Sequence, residues 1–275
     1  MGKYQILLTN DDGIQSPGLW AAAEALSDLS FVTVVAPRDQ SSGMGRSLPS
    51  TSDGRIRSEV VCVRGKDWTV YAVSGSPAQA VLHGILEIMP QRPDLVVSGI
   101  NYGENVGTGV TISGTVGATL EAASHGIPAL AMSLETDREQ HQSYSTEIDF
   151  SAAAYFSAHF AHQMLEKRLP PDVDLLKVDV PSDASRKTPW QVTRIARQRY
   201  YLPVPPKRKS WDEPGTVDYE EAAILDSERE DSDVYVLRVK RFVSVTPLSL
   251  DLTSRTDFGS LDQLLRSETG TLQKS

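Results

Sequence analysis

Apolar, β-branched runs recur along the chain at residues 4–9, 31–36, 68–73, 94–99, 129–134 and 174–180. Most run without a break for charge, the pattern of strands buried on both faces. Between them lie stretches with helical spacing, at 17–27, 77–89, 115–125 and 145–167. Buried strands alternating with helices predict an α/β fold, a mostly parallel sheet with helices on both faces. Residues 55–63 alternate in part and predict a hairpin with 68–73.

The pattern changes after residue 181. Residues 191–201 read as a strand, 202–209 are proline-rich and basic, 218–233 are acidic, and 234–240 read as another strand. A polar tail from Asp257 predicts one short helix around 261–266. This division gives a Rossmann-like α/β core over 1–190 and a C-terminal arm over 191–275. The arm has too little apolar material for a sizeable core of its own, so it packs back on the main domain or reaches across to another subunit.

The formal net charge of -9 argues against duplex nucleic acid as a partner, because phosphate-backbone binding needs a basic face. Small phosphorylated substrates stay open, since a metal supplies local positive charge. Cys62 is the only cysteine, which rules out an internal disulfide and disfavours zinc–thiolate sites. No apolar run approaches transmembrane length, and the N-terminus lacks the basic-then-apolar build of a signal peptide. A cytoplasmic protein with no membrane partner is expected.

Four loops that follow predicted strands carry polar groups and glycines. They are Asn10-Asp11-Asp12-Gly13, the stretch from Pro37 to Ser47 containing Ser42, Ser74-Gly75-Ser76-Pro77, and the stretch from Ser98 through Asn101 and Gly103 to Ser113-Gly114-Thr115. In a parallel sheet all four open on one rim, where α/β proteins bind ligands. Taken singly, each has an ordinary reading: Asp11-Asp12-Gly13 as a turn, Ser42 as a loop serine, Asn101-Tyr102-Gly103 as a turn, Ser113 as a helix cap. Ser16-Pro17 reads as the start of a helix, with Ser16 as its cap.

Chemistry gives the four loops one joint explanation. Adjacent carboxylates repel unless a cation lies between them. A hard divalent cation, one Mg²⁺ or Mn²⁺ per subunit, takes oxygen ligands, and Asp11, Asp12, Ser42 and Asn101 supply them. The free N–H groups and dipole of a helix starting at Ser113-Gly114-Thr115 suit a phosphate, with Gly103, Gly107, Gly109 and Gly114 allowing close approach. These parts make a metal-assisted phosphomonoester hydrolase, in which one of Asp11 and Asp12 also orients or deprotonates the attacking water. A Rossmann dinucleotide site is disfavoured because the first turn is acidic instead of glycine-rich, and neither a P-loop nor a Gly-x-Ser-x-Gly elbow occurs. An aspartyl-phosphate mechanism through Asp11 or Asp12 stays open, although a carboxylate committed to a metal is a poorer nucleophile. A non-enzymatic nucleotide or metal sensor is a third reading. His159 and His162, three apart on a predicted helix, read as a solvated face, and His83, His125 and His141 take no catalytic role.

The motifs also resemble a known family. Ile6-Leu7-Leu8-Thr9-Asn10-Asp11-Asp12-Gly13-Ile14 followed by Pro17-Gly18 resembles the opening of the SurE family of survival-protein nucleotidases. Val34-Val35-Ala36-Pro37 running to Ser42-Gly43, Tyr71 to Pro77, and Pro93 to Asn101 continuing to Ser113-Gly114-Thr115-Val116-Gly117-Ala118 agree in order and spacing. The resemblance covers the first half of the chain. It implies a Rossmann-like core and a divalent-metal-dependent 5′-nucleotidase acting on nucleoside monophosphates, with 3′-nucleotidase and short-chain exopolyphosphatase activity in some members. It places the metal on Asp11, Asp12, Ser42 and Asn101, and the phosphate on Asn10, Asn101, Ser113, Gly114 and Thr115. It also implies a homodimer or homotetramer held by an exchanged C-terminal β-hairpin arm. Two departures stand out: Ile112 where many members have Tyr, and Pro37-Arg38-Asp39 where many have Pro-Asp-Arg. The first bears on substrate packing, and neither removes a proposed ligand.

Overall fold

The computed structural model of the chain describes residues 4–141 and 144–267. Its main sheet draws on β1 (Tyr4–Thr9), β2 (Ser30–Pro37), β3 (Ile56–Val63), β4 (Lys66–Val73), β5 (Leu95–Tyr102), β6 (Ala129–Leu134), β7 (Leu175–Val180) and β8 (Trp190–Val192). A separate antiparallel pair is formed by β9 (Tyr201–Val204) and β10 (Asp218–Glu221), and β11 (Val243–Leu248) returns to the main sheet. The spatial order is β3-β4-β2-β1-β5-β6-β7-β11-β8, with β4, β2, β1, β5, β6 and β7 mutually parallel. β3 and β11 run antiparallel to their inner neighbours β4 and β7. The strand order reverses direction between β1 and β5, so the crevice at their carboxyl ends is the place where this architecture binds ligands.

Continuous apolar runs make sense because alternate residues face opposite layers. Along β1, Ile6 and Leu8 pack in the layer under α1 (Pro17–Leu26), while Leu7 packs in the layer under α2 (Pro77–His83). The first layer is completed by Phe156 and Phe160 of α4 (Ser151–Glu166), the second by Ala118 and Ala122 of α3 (Gly114–Ser124). Helices on both faces and a mostly parallel sheet match the expected fold class.

Three local expectations need correction. The stretch 234–240, expected as a strand, lies largely in helix α5 (Asp233–Arg238), whose cap Ser232 accepts from the Tyr235 N–H at 3.2 Å. α4 begins at Ser151 instead of 145, with the Asp149 carboxylate accepting from the Ser151 N–H at 2.8 Å. The expected strand 191–201 is split: β8 joins the main sheet, β9 joins the hairpin, and a single bridge from Arg194 to Ser232 lies between them. The last helix, α6 (Phe258–Arg266), is exposed along its length.

Candidate active site

The loop after β1 is closed by Asn10. Its side-chain amide donates to the Gly13 carbonyl at 2.9 Å, and its carbonyl oxygen accepts from the Gly13 N–H at 3.2 Å. The turn holds Asp11 and Asp12 at the carboxyl end of β1 with almost no exposure, 3% and 1%. Ser16 takes the cap position of α1, yet its buried hydroxyl has no partner among the described residues and makes no capping bond, contrary to expectation.

Asp11 faces the start of α3. The Thr115 hydroxyl donates to Asp11 Oδ1 at 2.5 Å, and the Gly114 and Thr115 amides also point at the carboxylate. Only glycine fits at 114, because a Cβ there would stand 2.7 Å from the Asp11 Cβ. Burial raises the Asp11 carboxyl above its usual range, against the pull of these donors. Asp12 accepts from the Tyr102 N–H at 3.2 Å, and burial followed by the neighbouring Asp11 charge pushes it well above the ordinary value. The pair therefore stores electrostatic repulsion that a cation would relieve.

Asn101, at the end of β5, spends its side-chain amide hydrogens on the Tyr102 and Gly103 carbonyls, at 3.2 and 2.6 Å. Its amide oxygen is the group left to act as a ligand. Ser113 caps α3 by accepting from the Val116 N–H at 3.1 Å. Ser42 is exposed, but its neighbour is anchored: the Ser41 N–H donates to the Asp11 carbonyl at 2.7 Å. Further along, the Gly45 N–H donates to the Ile112 carbonyl at 3.0 Å, and a Cβ on Gly117 would meet Gly45 O at 2.1 Å. The loop over 38–47 is thus laid directly on the start of α3. Ser76 of the third loop has a structural role: it caps α2 through a capping box with Gln79 and donates to the Ser47 carbonyl at 2.6 Å.

The first, second and fourth loops therefore meet at the carboxyl end of β1. Asp11 bonds Thr115 directly, Asp12 bonds the residue after Asn101, and Ser42 follows the residue bonded to Asp11. Asn10 instead turns inward to hold its own loop. Two long-range contacts brace the site: Tyr144, which the sequence does not single out, donates from its hydroxyl to the Asp12 carbonyl at 2.5 Å, and His141, expected to take no catalytic role, packs against Gly103 and pairs with the Tyr219 hydroxyl at 2.9 Å. Gln40, which donates to the His141 carbonyl at 2.8 Å, is a third. Nothing in the local pattern around 140–144 signals this, because the contacts are made across about a hundred residues of chain.

The donor set suits a hard cation: two carboxylates, an amide oxygen and a hydroxyl, all oxygen. Among the described residues no cluster of three or more His, Cys, Asp or Glu side chains is present, here or elsewhere, so a cation at Asp11 and Asp12 would need the amide and hydroxyl oxygens as well.

The profile of the family described as Survival protein SurE matches residues 6–202. The chain belongs to the SurE family. A SurE relative from Thermococcus gammatolerans, named 5′-nucleotidase SurE, is 43% identical over 265 residues, covering 96% of this chain and 97% of its own. Another of the same name from Methanosarcina acetivorans is 40% identical over 276 residues, covering 96% and 100%. The crystal structure of SurE from Aquifex aeolicus superposes with a TM-score of 0.72 at 33% identity, covering 95% of this chain and 99% of that one.

Proposed function

We propose that the chain is a 5′-nucleotidase, a divalent-metal-dependent phosphomonoesterase acting on nucleoside monophosphates. The observation that carries this reading is the pair of buried carboxylates, Asp11 and Asp12, set against the N-terminus of α3. SurE relatives at about 40% identity named as 5′-nucleotidases support it.

Asp11, Asp12, Asn101 and Ser42 would hold Mg²⁺ or Mn²⁺, which when bound supplies Lewis acidity and offsets charge on the phosphoryl group. The Thr115 hydroxyl orients the Asp11 carboxylate. The Gly114 and Thr115 amides, now directed at Asp11, are the donors available to phosphate oxygens once a cation shares that carboxylate. Tyr144 holds the Asp12 main chain in place, and one of the two aspartates takes the proton of the attacking water. A cavity of about 270 Å³ on the same rim, lined by Gln40, Ser41, Met44, Ser52 and Ser74 among others, gives the nucleoside room beside the phosphate. These groups address a phosphate rather than an ester position, so 3′-monophosphates and short polyphosphate fall within the proposal.

The arm serves assembly in this reading. Trp211, between β9 and β10, is 88% exposed, and Leu264 and Leu265 of α6 are 70% and 75% exposed. Large apolar side chains left in water suit burial against a second copy, giving a homodimer or homotetramer.

The test is phosphate release from a panel of nucleoside monophosphates with Mg²⁺, with Mn²⁺ and after EDTA. Metal-dependent release that EDTA abolishes is expected. Silence across the panel from folded, metal-loaded protein overturns the activity.

A further inference from the structure

The middle of β7 holds two charges where a doubly covered strand ordinarily holds none. Lys177 and Asp179 are both fully buried on the same strand face, and Asp233 at the start of α5 is buried with them. The Lys177 ammonium donates to Asp179 Oδ2, and to Asp233 Oδ2 at 3.2 Å. Two carboxylates around one ammonium leave an excess negative charge in the interior, so burial has to be offset by further donors.

Those donors are main-chain amides of the loop that carries the site. Asp179 Oδ1 accepts from the Asn105 N–H at 2.8 Å, and Asp233 Oδ2 accepts from the Gly107 N–H at 3.1 Å. The Asn105 side chain donates in turn to the Ser133 hydroxyl on β6 at 2.8 Å. Residues 105 and 107 lie between Asn101 and the Ser113-Gly114-Thr115 start of α3, so the triad grips this loop at its waist. It also grips the base of the arm. Asp233 Oδ1 accepts from the Ala196 N–H at 2.9 Å, and the Gln198 carbonyl accepts from the Thr108 N–H at 3.1 Å.

We propose that Lys177, Asp179 and Asp233 are positioning residues, a buried junction that sets the loop between Asn101 and Thr115 and locks it to the base of the hairpin arm. The inference rests on the proposed phosphatase site, because it assigns the loop's position a value only through phosphate binding. The carboxylates are required as carboxylates. Each Asp accepts on both oxygens, whereas an amide accepts on one and donates from the other. In Asp179→Asn, either the Asn105 N–H or the Lys177 ammonium therefore meets a donor instead of an acceptor. The same holds for Asp233→Asn, between Lys177 with Gly107 on one side and Ala196 on the other.

The experiment compares Asp179→Asn with the unaltered full-length protein and with Val245→Ala, a core truncation on β11 that sits opposite Val178 and packs on the sheet face away from Lys177 and Asp179. Turnover of a nucleoside monophosphate by the unaltered protein comes first, so silence there counts against the proposed activity and not against the junction. Inorganic phosphate with Mn²⁺ is then used as an inhibitor, and Mn²⁺ binding is measured alone. Displacing a phosphate-binding loop by a fraction of an ångström is expected to weaken phosphate inhibition and raise KM by about ten-fold or more in Asp179→Asn. Val245→Ala, at comparable loss of Tm, keeps both. Asp179→Asn with lowered Tm and unchanged phosphate inhibition and KM overturns the proposal, since that is what a purely structural role predicts. A second measurement needs no variant: the Asn105 and Gly107 amides of the unaltered protein are expected to exchange with deuterium as slowly as those of β6. Exchange at the rate of the exposed 205–217 stretch overturns the junction even where the variant fails to fold.

Discussion

Replacing Glu104 by glutamine is expected to flatten the fall in stability between weakly acidic and weakly alkaline pH. Glu104 lies three residues beyond Asn101 and is 3% exposed, and neither carboxyl oxygen has a hydrogen-bond partner among the described residues. The cation facing it, Arg238 of α5, stands 3.5 Å from Oε1 and is shared with Glu135 at 2.8 Å and Glu221 at 3.0 Å. Asp179 of β7 adds negative charge, and the Tyr200 and Tyr201 side chains of the arm close the other side. Burial, reinforced by Glu135, pushes Glu104 from 4.5 up to about 7. Because the folded value lies above the unfolded one, the folded state holds this proton more tightly. The associated stability is complete below pH 4.5 and is lost as pH rises through about 7. At about 1.4 kcal/mol per tenfold change in proton affinity, the displacement from 4.5 to about 7 makes the full loss about 3.5 kcal/mol. Glutamine has no proton to lose. Urea unfolding of both proteins at fixed concentration, at about pH 5 and about pH 8.5, is therefore expected to show the variant gaining about 2.5 kcal/mol on the parent across that interval, a midpoint difference near 1 M. Parallel pH dependence would mean that Glu104 ionises as it does in water, and the reasoning fails.

Asp12→Asn is expected to cut turnover by about a thousand-fold or more while leaving Tm in metal-free buffer unchanged or raised, because it removes one of two buried like charges; steady-state kinetics beside a thermal melt check both halves, and turnover like the parent's refutes the metal role. Added Mn²⁺ is expected to raise the Tm of the parent protein and not that of Asp12→Asn, since binding to the folded state alone stabilises it. Gly114→Ala is expected to weaken Mn²⁺ binding, because its Cβ would press within 2.7 Å of the Asp11 Cβ and displace that carboxylate; a direct Mn²⁺ titration reads it.

Much of this architecture was legible because it rests on local pattern. The alternation of Ile6 and Leu8 against Leu7 marks a strand covered on both faces, and the acidic turn at Asp11-Asp12 marks its carboxyl end. The meeting of Asp11 with Thr115 followed from parallel topology, which brings loops distant in sequence to one rim. The arm was harder to read. Val234, Val236 and Leu237 look like strand residues by composition, yet the Ser232-Asp233 cap signal decides for a helix. β11 was missed because Pro247 disguises it. That proline pairs opposite Leu176 of β7, beyond Val245 where the ladder with β8 ends, so its missing N–H disrupts no bond to the outer strand. The contacts of Tyr144 with Asp12, His141 with Tyr219 and Lys177 with Asp233 are long-range and leave no periodic trace. For Lys177 and Asp179, charges two apart in an otherwise apolar strand were the available clue.

The loop over 38–47 is fastened first through its main chain: the Arg38 N–H to the Val73 carbonyl, Ser41 N–H to Asp11, Gly45 N–H to Ile112. Two side chains add to this, Gln40 on the His141 carbonyl and Arg46 on Glu121 of α3 at 2.6 Å, while Arg38, Asp39 and Met44 are exposed. Residues 38, 39 and 44 can therefore change without moving Ser42, because the main-chain frame holds it. Arg38 and Asp39 bond each other at 2.9 Å, so their order leaves that frame undisturbed.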